Sequence, residues 1–106
     1  MRKVNAIVTY KNEMDDSGAW FRFVSMSATP RNGENIILVA PSEIEMRHPY
    51  KYRNFDALYN SALNLLKNNG FYAAKHTDFG ATWYEINFIN LDTGAIERHP
   101  YHKTLI

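Results

Sequence analysis

The stretch Asn54–Gly70, NFDALYNSALNLLKNNG, sets the architecture of this chain. Phe55, Leu58, Tyr59, Ala62, Leu65 and Leu66 recur at the spacing of one helical face, with polar residues between them. Asn54 is suited to cap the first turn, and Asp56 favours the positive end of the helix dipole. At the other end, Asn68-Asn69-Gly70 supplies a left-handed stop, after which Phe71 can fold back on Leu66. The spacing predicts one amphipathic helix of about four turns. A helix with one apolar face needs a second layer to bury it.

The flanking sequence supplies that layer as β-structure. Lys3–Tyr10 alternates Val4, Ala6, Val8 and Tyr10 against Lys3, Asn5, Ile7 and Thr9, the period of a strand. Lys11–Gly18 is polar and acidic and reads as a loop. Ala19–Ala28 is a second strand, with Trp20, Arg22, Val24 and Met26 on one face and Phe21, Phe23 and Ser25 on the other. Asn32-Gly33 marks a tight turn, and Asn35–Ala40 reads as a buried third strand stopped by Pro41. Ser42–His48 alternates again and is expected to prolong the sheet after a bend. Beyond the helix, Phe71–His76 reads as a short strand, Thr77–Gly80 as a turn and Thr82–Asn90 as a strong strand. Leu91–Gly94 is a hairpin turn and Ala95–His99 the returning strand. The expected fold is a single α+β domain over residues 1–106. It has one antiparallel sheet of five to six strands in the order β-β-β-α-β-β, packed by a single helix. An OB-like barrel is the alternative, because there too a helix lies between the third and fourth strands.

Composition narrows the function classes. The chain has 106 residues, 45% hydrophobic, 14% aromatic and 22% charged, enough apolar material for one core. Its formal net charge is +1, so any electrostatic attraction to nucleic acid or lipid must be local. There is no cysteine, which excludes disulfides, thiolate metal sites and a cysteine nucleophile. No apolar run has the length of a signal or membrane segment, so a cytoplasmic location without membrane contact is expected. The short chain, its eleven asparagines and its seven tyrosines resemble, in composition alone, small accessory proteins of phages and mobile elements.

A repeated tetrapeptide stands out: Arg47-His48-Pro49-Tyr50 returns as Arg98-His99-Pro100-Tyr101, each at the end of an expected strand. Two equivalent contact sites, or a pair of histidines brought together, is one reading; a shared strand exit is the plainer one. The first copy opens Arg47–Arg53, in which Arg47, Lys51 and Arg53 carry positive charge and Tyr50 and Tyr52 carry rings. Cations on phosphates with rings on bases is how single strands are held, so the segment is a candidate single-stranded nucleic-acid site. A solvated link between sheet and helix is the alternative. The candidate binding residues are therefore Arg47, His48, Tyr50, Lys51, Tyr52, Arg53, Arg98, His99 and Tyr101.

Metal and catalytic patterns are incomplete. His99 and His102 are separated by Pro100, which forbids the helix their spacing needs, and His76 has only Asp78 nearby in sequence. Neither a metal nor another cofactor is expected. Should the chain be an enzyme, His48 and His99 are the acid–base pair for metal-free phosphodiester cleavage. His102-Lys103-Thr104 resembles the His-x-Thr element of the two-histidine phosphoesterases, which carry two such elements where this chain has one. The leading expectation is a non-enzymatic binding protein, an inhibitor or adaptor, acting on another protein. Single-stranded nucleic-acid binding stands second and a histidine-dependent ribonuclease third. Self-association is open, since short strands can leave a sheet edge unpaired.

Overall fold

The computed structural model describes residues 1–40, 50–78 and 80–97. Two long strands dominate it, β1 (Arg2–Asp15) and β2 (Gly18–Pro30), paired antiparallel along their whole length. β3 (Ile36–Val39) and β4 (Lys51–Tyr52) pair with successive parts of the outer edge of β2. The helix α1 spans Phe55–Asn68. After it come β5 (Phe71–Tyr72), β6 (Lys75–Asp78), β7 (Ala81–Tyr84), β8 (Ile86–Asn90) and β9 (Ile96–Glu97). The main sheet runs β3-β2-β1-β8-β9, while β6 and β7 form a separate two-stranded sheet.

The α+β class is as expected, and α1 starts and stops where its sequence says. Asn54 Oδ1 accepts a hydrogen bond from Ala57 N at 2.9 Å, Gly70 takes φ 78°, and its N–H donates to Lys67 O. Three features of the sheet differ. It has seven strands, counting β4 and β5, rather than five to six. It is mixed, because β8 and β5 both run parallel to β1. Its path is also open, with β3 and β9 at opposite ends, so the described strands do not close an OB-like barrel.

Register explains three further corrections. Lys11–Asp15 is not a loop but the far half of β1, laddered to β2 as far as Asp15↔Gly18. Gly18 takes φ +116° there, a conformation glycine adopts readily. In β2 the pairing jumps from Ser25↔Thr9 to Phe23↔Tyr10, so Val24 is an extra, bulged residue. A bulge reverses the parity of every side chain after it. Phe21 and Phe23 before it, and Met26 and Ala28 after it, thus all point to the helix, which is why both faces of the linear pattern carry bulk. The run Thr82–Asn90 is broken at Glu85. Its first half pairs with β6 and its second with β1.

The core lies between the sheet and α1. Val4, Ala6, Val8 and Tyr10 of β1, Phe23, Met26 and Ala28 of β2, and Ile86 and Phe88 of β8 meet Leu58, Tyr59, Ala62 and Leu66. Tyr59 ties α1 to β7: its hydroxyl accepts from Tyr84 N at 2.7 Å and donates to Tyr84 O at 3.2 Å. The third strand is not buried as expected. It is an edge strand in which Ile36 and Val39 face inward and Ile37 is 66% exposed. No helix among the described residues is long and apolar enough to cross a membrane.

Candidate interaction surfaces

The outer end of the β1–β2 hairpin gathers several of the residues singled out in Arg47–Arg53. β4 places Lys51 opposite Arg22 on the face away from the helix, and Tyr52 opposite Phe21 on the helix side. Lys51 Nζ lies 3.2 Å from Asp15 Oδ2 and 3.6 Å from Glu13 Oε2, and Arg22 reaches Glu13 at 3.8 Å. Arg53 crosses the hairpin end, donating to Ser17 O at 2.6 Å and Ala19 O at 3.3 Å. Its guanidinium lies 3.6 Å from the Trp20 ring centroid. The approach is close enough that a Cβ on Gly18 would sit 2.8 Å from Arg53 NH1.

Asp15 organises this cluster. Its Oδ1 accepts from Ser17 N, Ser17 Oγ and Trp20 Nε1. Hydrogen bonds from the Ser17 hydroxyl, then from Trp20 and the Ser17 backbone, hold its carboxyl well below the usual carboxylate range. A folded-state value below the unfolded one stabilises the fold above the ordinary value of 3.8, and that contribution is lost as pH falls below it. Thermal melts of the wild type should therefore move down as pH drops through and below about 4. Asp15→Asn should melt lower at neutral pH and lose less over the same acid interval. Identical acid slopes in the two proteins would show that the hairpin end does not depend on the Asp15 charge.

The tyrosines of the segment also serve the fold. Tyr50 O accepts from Phe23 N at 2.9 Å, and its ring lies 6.1 Å from that of Phe23. Tyr52 OH shares a hydrogen bond of 2.7 Å with Ser61 Oγ on the helix. Both line a shallow groove of about 400 Å³ beside α1, together with Ser61, Leu65 and Asn68. A second groove of about 410 Å³ lies on the other flank, floored by Leu66, Phe71 and Ala73 and rimmed by Asn64 and Lys67. Arg47, His48, Arg98, His99, Tyr101 and His102 lie outside the described residues, as does the rest of Ser42–His48; of the two tetrapeptides only Tyr50 is described.

His76 is placed by β6 opposite Trp83 of β7, and the two rings stack at 4.3 Å. Its Nε2 lies 3.6 Å from Glu85 Oε1, an acid the linear spacing did not bring to notice. Among the described residues no cluster of three or more His, Asp or Glu has metal-binding geometry.

The most distinctive surface is one that motif reading missed. α1 covers one face of the sheet, and among the described residues no element covers the other. Register places Asn5 beside Thr29, and Ile37, Ser27, Ile7 and Asn87 in one row across four strands. The next row holds Ser25, Thr9, Ile89 and Ile96. None of these ten residues is ionisable. The hydroxyls of Thr9 and Ser25 bond to each other. Ile37, Ile96 and Ile7 are 66%, 65% and 39% exposed. Solvated sheet faces are usually studded with Lys and Glu; among the described residues of β1 and β2, charge on this face sits with Lys3 at one end and with Lys11 and the Glu13 cluster at the other. A signal was present in the sequence, since the outward positions of β1 and β2, Asn5-Ile7-Thr9 and Ser25-Ser27-Thr29, hold no charge.

The described residues form a two-layer α+β fold with one sheet face covered by the helix and the other uncovered and neutral at its centre. Comparison with protein-family models, curated proteins and solved structures returns no match.

Proposed function

We propose that this chain is a non-enzymatic binding protein that acts by contact with another protein, as an inhibitor or adaptor, and that the bare sheet face is its contact surface. The observation that carries this reading is the charge-free patch with Ile37, Ile96 and Ile7 exposed in it. The centres of protein interfaces are depleted of charge and rich in groups that pack flat, whereas a merely solvated face has no reason to exclude lysine and glutamate. The basic–aromatic segment supports the nucleic-acid alternative less well, because Lys51 and Arg53 are engaged by Glu13, Asp15, Ser17, Ala19 and Trp20 of the same chain.

The test is affinity capture from the native host with the wild type and with an Ile37→Lys/Ile96→Lys double variant. Both positions are about two-thirds exposed, so the variant should fold and melt as the wild type does. The wild type should retain a stoichiometric protein partner and the variant should lose it. A wild type that retains no partner, or a variant that keeps it, overturns the assignment.

A further inference from the structure

We infer that the bare face is where two copies of this chain meet, sheet against sheet, about a twofold axis in the plane between them. The inference rests on reading that face as a contact surface and goes further by naming its occupant. A twofold interface sets each patch against itself, so any charge near its centre meets a like charge. The ten described residues at the centre of this face carry no charge and avoid that penalty. An axis along β1 sets Ile7 on Ile7 of the second copy and Thr9 on Thr9, with the remaining charge-free side chains around them. On that axis Asn5 meets Asn5 and Ser27 meets Asn87 of the second copy, and these groups both donate and accept hydrogen bonds, so they can pair across the interface.

Size also fits. Five strands about 4.8 Å apart span roughly 19 Å, and the stretch from Lys3 to Lys11 is roughly 27 Å long. Facing sheets of that size bury at most about 500 Å² per copy, or about 1,000 Å² in all, the size of a weak, transient complex. The charge-free centre is near half of that, so the dimer is a weak one that dissociates on dilution. The same axis brings Lys3 to Lys3 and Lys11 to Lys11 at the two ends of the patch. Salt screens those rim repulsions without weakening the apolar centre, so association should tighten as salt rises.

Sedimentation equilibrium of the purified full chain, from low micromolar to near-millimolar concentration at low and high salt, tests this directly. The wild type should move from one chain mass toward two, further at high salt. Ile37→Lys/Ile96→Lys places four lysines in the symmetric interface and should weaken association at least ~100-fold. Asn60→Lys/Asn68→Lys adds the same charge on the helix side, where both residues are exposed, and should associate like the wild type. A monomer at every concentration, a dimer that survives the isoleucine changes, or equal loss in both double variants overturns the inference. If the purified chain stays monomeric while Ile37→Lys/Ile96→Lys still loses a captured partner, the self-pairing fails and the contact surface stands. If the chain dimerises through this face yet captures nothing, it is the inhibitor or adaptor role that fails.

Discussion

Phe88→Ala should lower the stability of the domain by about 3–5 kcal/mol, the range of the costliest core truncations. Phe88 is fully buried on β8, opposite Val8 of β1. Its ring is 4.9 Å from Phe55 and 6.1 Å from Tyr59, both on α1. Three links therefore converge on one side chain: the parallel β1–β8 pairing, the helix docking and the aromatic cluster. Domains of this size are held by only about 5–15 kcal/mol, so the variant should lose a large part of that margin. Urea unfolding followed by tryptophan fluorescence measures the midpoint and slope together. A fall in midpoint at constant slope is the expected result. A loss below about 1 kcal/mol would mean that β8 does not lie beneath the helix.

That pairing is also where sequence reasoning stopped. The helix was legible because every determinant of it is local: the apolar stripe, Asn54 at the start and Gly70 at the end. The turn at Leu91–Gly94 was legible for the same reason. Gly94 takes φ 77° and donates to Asn90 O, and the Asn90 side chain accepts from Asp92 N and Thr93 N. The parallel partner of β1 is set instead by residues some eighty positions away, and no local pattern encodes it. The bulge at Val24 hides in a strand whose two parities are equally bulky until the register is known. Lys11–Asp15 looks like a loop because the far end of the hairpin needs no apolar face. Asp15 with Trp20, and Glu13 with Arg22 and Lys51, hold it instead. The same hairpin bears on Lys51 of the candidate segment, which pairs with Glu13 and Asp15. Composition shows that cation but not the two acids that a hairpin from the other end of the chain brings to it. The bare face was missed for a complementary reason, since a motif search looks for reactive groups and this surface is defined by the absence of charge.

Leu66→Ala and Leu65→Ala should separate sharply, although the helical stripe assigns both residues to the core. Successive residues turn by roughly 100°, which puts Leu66, Ala62 and Phe55 near the middle of the buried arc and Leu65 at its edge. The structure agrees: Leu66 is 1% exposed, whereas Leu65 is only partly buried and lines the groove beside Tyr50 and Tyr52. Truncating Leu66 leaves a void among groups already fixed by the sheet, at a cost of about 2–5 kcal/mol. Truncating Leu65 enlarges a groove that water already enters, so no dry cavity forms and roughly 1 kcal/mol of apolar burial is lost. Urea midpoints of the two variants should differ by more than the error of the extrapolation. Equal midpoints, or a larger loss at Leu65, would rotate the helix relative to the sheet. The bare face would be unaffected by that rotation, because its composition is set by the register of β1, β2 and β8 and not by the helix.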